Sequence, residues 1–162
     1  MKEILLNTVN AKSLNYKKYS ALVSNKDYKA LIKFKWSVSK VHGIIYAISK
    51  IRGKNVQMHN MIMGCKWIDH KDGNGLNNQR CNLRKATAQQ NQMNKSSSKN
   101  STSRFKGVWW DKAKSKWAVH ISKDNRNKYL GHYDDENLAG LAYNEAAKKL
   151  HGRFAKFNQV SL

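Results

Sequence analysis

Trp67-Ile68-Asp69-His70-Lys71-Asp72-Gly73-Asn74, followed by Asn82-Leu83-Arg84 and then Asn91, is the stretch that decides how this chain is read. It sets a carboxylate beside an imidazole, follows them with a glycine-containing turn, and brings a second oxygen donor downstream. Two such oxygens suit one hard divalent cation, and the neighbouring imidazole suits taking a proton from water. Those are the parts for attack on a phosphodiester. From Val56 to about Asn94 the text is polar and turn-rich, with apolar anchors at Met58, Met61, Ile62, Trp67, Ile68 and Leu83. The pattern predicts a short helix over 59–63 and a strand ending near His70. A long loop through Gly73, Asn74 and Gly75 follows, then a brief strand over 83–86 and a helix capped by Thr87.

Upstream, residues 1–58 read as a small β-rich supporting layer. Strands are expected over 19–23, 35–39 and 44–48, with one helix through 27–32 capped by Asn25 or Ser24. Downstream, residues 95–103 are polar and basic without large apolar side chains, the composition of a mobile linker. In residues 104–162, stretches 105–108, 116–122 and 128–133 alternate like three strands. A helix begun by Asp135 or Asp134 should carry Leu138, Leu141, Ala142, Ala146 and Leu150 at helical spacing, with Tyr143, Ala146 and Leu150 packed on the sheet, and end at Gly152.

In this 162-residue chain, 31 Lys and Arg stand against 10 acidic residues, a formal charge of +21. Such an excess attracts a polyanion at long range and releases counterions on binding. An RNA-binding protein or a membrane-surface binder would be as basic. No apolar run is long enough to span a bilayer, and the cations do not line one amphipathic helix. The N-terminal apolar stretch is too short for a secretory signal. Cys65 and Cys81 lack paired metal spacing, so they read as reduced thiols rather than as ligands of a zinc shared with a histidine. A cytoplasmic location is expected, that of the host if the gene is phage-borne.

The ordered series Met58-His59, Asp69-His70, Asp72-Gly73-Asn74, Asn77-Asn78, Asn82-Leu83-Arg84 and Asn91 resembles the HNH nucleases of the phage and intron homing type, with their ββα-metal fold. The resemblance spans residues 59–94. It implies Asp69 and Asn91 as ligands of Mg2+ (or Mn2+), His70 as general base, and Asn82 as the residue that holds the loop. Lys71 and Arg84 would steady the substrate phosphate. His59 would pack, hydrogen-bond inside the fold, or meet a phosphate; relatives place a basic residue after that histidine where this chain has Asn60. Asn77 and Asn78 would serve turn hydrogen bonds.

Residues 104–158 resemble the AP2 DNA-binding domain, through Phe105-Lys106-Gly107-Val108, Lys116-Trp117-Ala118-Val119, Tyr129-Leu130-Gly131-His132-Tyr133, Ala139-Gly140-Leu141-Ala142-Tyr143 and Phe154-Ala155-Lys156-Phe157-Asn158. That likeness implies a three-stranded antiparallel sheet on one helix, laid into a DNA groove. The implied contacts are Arg104, Lys106, Trp109, Lys116, His120, Ser122, Lys128 and Tyr129. Asp111 and Ser122 stand where plant relatives carry basic residues, which reduces guanine reading by arginine.

The expected protein is therefore α+β: a β-rich layer (1–58), a nuclease motif (59–94), a linker (95–103) and an AP2-like domain (104–162). Its expected activity is metal-dependent hydrolysis of double-stranded DNA, leaving 5′-phosphate and 3′-hydroxyl ends. It would nick as a monomer or cut both strands as a homodimer. The alternative is a catalytically silent AP2-type regulator on the same scaffold.

Overall fold

The structure, a computed structural model, describes residues 1–7, 18–97 and 100–161. The chain forms two compact units, Met1–Thr87 and Ala88–Leu162. Among the described residues the architecture is α+β, with small separate sheets rather than one continuous one.

The first unit runs β1 (Lys2–Leu6), β2 (Tyr19–Val23), α1 (Asn25–Leu31), β3 (Ser37–Val41), β4 (Ile44–Ile51), β5 (Lys54–Gln57), α2 (Met58–Met63), β6 (Ile68–His70), β7 (Asn77–Asn78) and β8 (Leu83–Lys85). Alternate residues of the first two strands, Ile4 and Leu6 with Ala21 and Val23, turn inward. They share one core with Trp36, Met58, Ile62, Ile68 and Leu83, so the N-terminal layer and the hairpin β6–β8 are packed on the same apolar cluster. Trp36 is buried there and donates its indole N–H to the Leu31 carbonyl at 2.8 Å. β2 pairs antiparallel with β1 and parallel with β7, which brings the long loop onto the layer.

The second unit runs α3 (Ala88–Met93), β9 (Val108–Asp111), β10 (Lys116–Lys123), β11 (Arg126–Tyr133) and α4 (Glu136–His151), with a 3-10 turn at Gly152–Phe154. β10 is central in an antiparallel sheet. Asp124 and Asn125, at φ 52° and 58°, make the two-residue turn between β10 and β11. Asp135, not Asp134, caps α4, its Oδ1 accepting from the Leu138 N–H at 2.9 Å. α4 packs on the sheet through Ala139, Tyr143 and Ala147, against Phe105, Val108, Val119 and Ile121.

Four expectations change. Leu138 is exposed, because the face of α4 nearest the sheet is made of small residues around Tyr143. Trp67 is exposed and holds φ 64°, so it is no apolar anchor. The strand expected from Phe105 starts at Val108, because Gly107 takes φ 75° there. A Cβ on Gly107 would lie 2.3 Å from the Tyr143 ring and 2.5 Å from the His120 carbonyl. Finally, the supposed linker is tied down at its end. Ser103 is buried and donates to Glu136 at 2.7 Å, and Thr102 Oγ1 accepts from the Trp110 N–H at 3.0 Å. Of that segment, residues 98 and 99 lie outside the described residues.

Candidate active site

β6 and β8 form a two-stranded antiparallel hairpin in which Asp69 stands opposite Arg84 and His70 opposite Leu83. Cross-strand partners share a face, so the guanidinium reaches the carboxylate: Arg84 Nε and Nη2 lie 2.7 and 2.6 Å from Asp69 Oδ2. Arg84, expected at a substrate phosphate, thus orients Asp69. Both Asp69 and His70 are buried.

The loop between the strands is closed by its own polar side chains. Asp72 Oδ1 accepts from the Asn74 N–H at 2.8 Å and from Asn82 Nδ2 at 2.9 Å, while Asp72 Oδ2 accepts from Asn77 Nδ2 at 2.7 Å. Asn82 also donates to the Asn77 carbonyl at 2.8 Å and accepts from the Asp72 N–H at 3.1 Å. Burial raises the Asp72 carboxyl, but the donors from Asn74, Asn77 and Asn82, with His70 nearby, outweigh it and leave the group below its ordinary range. Asn82 thus ties Asp72 to the Asn77 backbone across the loop. Lys71 turns its ammonium to the Cys81 carbonyl at 2.6 Å.

His70 is set from behind by Asn78, His59 and Tyr46. Asn78, fully buried, places Oδ1 3.4 Å from His70 Nε2, while its own Nδ2 donates to the Gly75 carbonyl at 3.4 Å. An amide oxygen can only accept, so the imidazole proton belongs on Nε2 and the lone pair on Nδ1. The His59 ring meets His70 edge-on at 4.9 Å between centroids, and Tyr46 on β4 lies 5.9 Å from His70. Burial pushes the His70 imidazole below its usual range, against the opposing pull of Asn78, Asp72 and Asp69. His59 is lowered to about 4 by burial and then by its proximity to His70. Both imidazoles are thus neutral at neutral pH, and His59 is a packing residue. Tyr46 gave no sequence signal because it comes from the supporting layer; Asn78 was expected to serve turn hydrogen bonds, and it donates one to the Gly75 carbonyl, but its contact with His70 was not foreseen.

Asn91 lies on α3 in the second unit. Its Oδ1 is buried and has no hydrogen-bond partner among the described residues, the condition of an oxygen kept for a ligand. Asp69 and Asn91 offer only hard oxygen donors, which fits Mg2+ or Mn2+. Among the described residues no group of three or more His, Cys, Asp or Glu could hold a metal, and both cysteines are free thiols.

On the second unit, Trp109 and His132 flank Ala118 across the sheet, and His120 faces Tyr129. These residues share the sheet face turned away from α4. Trp109 meets His120 at 4.9 Å between centroids, Tyr129 touches the His132 ring through its hydroxyl, and His132 Nε2 lies 2.9 Å from Asp111. Of the expected DNA contacts, the sheet brings together Trp109, His120 and Tyr129, with Ser122 hydrogen-bonded to Asn127; Lys128 is exposed opposite Ile121, on the side of the sheet that faces α4. Lys116 is paired with Asp134 at 3.0 Å. Arg104 lies 3.7 Å from Glu136 and donates to Asn137 at 2.8 Å. Lys106 departs from the expectation most: its ammonium donates to the carbonyls of Gln92 and Met93. Burial, then Lys156 and Lys95, lower it to about 8.

The fold and these sites define a two-part protein, a polar ββ-hairpin site and a DNA-type sheet on one helix. The AP2 domain family matches residues 103–153. An HNH endonuclease of Acanthamoeba polyphaga mimivirus, itself uncharacterized, is 32% identical over 149 residues, covering 86% of this chain and 75% of that one. Protein 3.8 of Escherichia phage T7 is 33% identical over 91 residues, covering 56% of this chain and 74% of that one. No solved structure matches the chain. The chain belongs to the HNH endonuclease family and joins that motif to an AP2 domain. Among the described residues no helix is long and apolar enough to cross a membrane.

Proposed function

We propose that this protein is a metal-dependent DNA endonuclease. One observation carries the reading: a buried, neutral His70 whose Nε2 faces the Asn78 amide oxygen, directly following a buried Asp69 in an HNH chain. In this reading His70 Nδ1 takes the proton from the attacking water, and Asn78 and His59 keep the ring in that orientation. Asn82 holds the loop, and Arg84 holds the Asp69 carboxylate. Asp69 and Asn91 would hold the Mg2+ or Mn2+, which when bound supplies charge stabilisation at the phosphate and at the departing 3′ oxygen. Hydrolysis would leave 5′-phosphate and 3′-hydroxyl ends on double-stranded DNA. The sheet face around Trp109, His120 and Tyr129 would provide contacts to the duplex, while the +21 charge supplies affinity.

The test is supercoiled plasmid incubated with the purified protein and Mg2+, with and without EDTA. Conversion to nicked or linear DNA that EDTA abolishes is the expected outcome; intact plasmid under both conditions rejects the activity. A second reading, the catalytically silent AP2-type regulator, draws on the ion pair that engages Asp69 Oδ2 with Arg84. It predicts DNA binding without cleavage in the same assay.

A further inference from the structure

Tyr129 and His132 are three residues apart, so in a regular strand they would point to opposite faces of the sheet. The register of β10 and β11 shifts between Val119 and His120, opposite Leu130, and this irregularity turns both side chains to the face away from α4. There they join Asp111, the last residue of β9, in a chain of hydrogen bonds whose direction follows from what each group can donate. The Asp111 carboxylate only accepts. Its Oδ1 takes the Ala113 N–H at 3.0 Å and the Lys114 N–H at 3.4 Å, and its Oδ2 lies 2.9 Å from His132 Nε2. The bond from His132, helped by those two N–H groups and opposed by burial, holds the Asp111 carboxyl below its ordinary range, so it stays ionised. The ring proton facing it is therefore on Nε2. In a neutral imidazole that leaves the lone pair on Nδ1, and Nδ1 meets the Tyr129 hydroxyl, which donates its one hydrogen there. Desolvation, then Asp111 and Tyr133, raises the Tyr129 hydroxyl above its ordinary range, so it keeps that hydrogen. The exposed Tyr129 oxygen is left with lone pairs alone. Such an oxygen cannot bond a phosphate, which also only accepts. In the major groove, the one wide enough for strands, the base edges offer it two donors, adenine N6 and cytosine N4.

We infer that Tyr129 is a specificity-determining residue: its oxygen accepts a hydrogen bond from a base amino group, adenine N6 or cytosine N4, and the Asp111–His132 pair sets it as an acceptor. The inference rests on the duplex-binding part of the reading above and deepens it. It also gives Asp111 a task on a face that meets a polyanion, since a basic residue there could not hold the His132 proton on Nε2.

The experiment uses the full-length chain in EDTA at about pH 8, where an ordinary imidazole is neutral, with randomised duplexes whose retained fraction is sequenced. The parent should enrich duplexes with one position restricted to adenine or cytosine. Replacing that base by its analogue without the amino group, purine or 2-pyrimidinone, should weaken binding about fivefold, the size of one hydrogen bond. Tyr129→Phe should bind the unmodified duplex about fivefold more weakly, lose the restriction at that position alone, and be indifferent to the analogue. Asp111→Asn, whose amide can itself donate to Nε2 and so admits the other tautomer, should widen the position to guanine or thymine, whose groove edges accept. If Tyr129→Phe fails to fold, the analogue series on the parent and on Asp111→Asn still decides. A uniform loss over all sequences in Tyr129→Phe would make the residue a phosphate contact and overturn the inference. An analogue penalty equal in Tyr129→Phe and the parent would overturn it too. A parent that binds duplexes without base preference rejects the inference and leaves the duplex-binding reading standing. A parent that retains no duplex at all rejects that reading and the inference with it.

Discussion

The first unit buries the polar side chains of its hairpin site, whereas the aromatic side chains on the second unit's sheet are open to solvent. His59, Asp69, His70, Asn78 and Asn82 are each no more than 8% exposed, at or beside one short hairpin. On the AP2 sheet, Tyr129 is 53% exposed and Trp109 37%. On the proposed function the difference suits the two tasks. A general base needs a fixed tautomer and donors that do not reorganise, and a buried hydrogen-bonded network favours both. A duplex must be met by a surface it can reach, with rings held by neighbours but open on one side. The first unit accordingly supports its site with a shared apolar core, whereas the second supports its exposed rings with contacts along the sheet, Trp109 on His120 and Tyr129 on His132.

Three perturbations sharpen that contrast, from the largest effect to the smallest. Gly107→Ala should destabilise the AP2 unit by roughly 3 kcal/mol or more, because the new methyl meets both the Tyr143 ring and the His120 carbonyl at a left-handed φ. Thermal melting followed by circular dichroism would show it, and an unshifted melt would refute the close packing. The second concerns acid. His59 titrates near 4 in the folded chain against an ordinary 6.5, so between those values the unfolded chain binds more protons. Stability is then intact above pH 6.5 and falls as pH drops toward 4, by about 3 kcal/mol from this group. Denaturant midpoints measured at pH 7 and pH 4.5 should differ less in His59→Phe than in the parent protein. An equal difference would mean that His59 is not held neutral by burial. The mildest is Trp109→Ala, which should lower DNA affinity about tenfold, or on the order of 1.4 kcal/mol, with little effect on melting. Unchanged affinity would remove that face from the interface.

How much of this was readable in the sequence depends on the range of each interaction. Asp69, His70, Asn82 and the turn between them are local, and their spacing marked them; the loop is closed by bonds within ten residues. The support for His70 is not local. Tyr46 comes from β4, and β7 exists because Asn77 and Asn78 pair in parallel with Leu22 and Val23 on a distant strand. The AP2 helix was visible, but its buried face was misjudged: apolar size favoured Leu138, while close approach to Phe105 and the sheet selected Ala139, Gly140 and Ala147. Lys106 looked like one more cation in a basic chain. Only its position beneath the end of α3 distinguishes it.

His70→Ala decides the central claim most directly, if plasmid cleavage in Mg2+ and DNA affinity in EDTA are measured on the same preparation. A base that acts on water and not on binding predicts cleavage reduced by at least about 100-fold with affinity unchanged. Cleavage at the parental rate by the alanine variant would contradict the assignment.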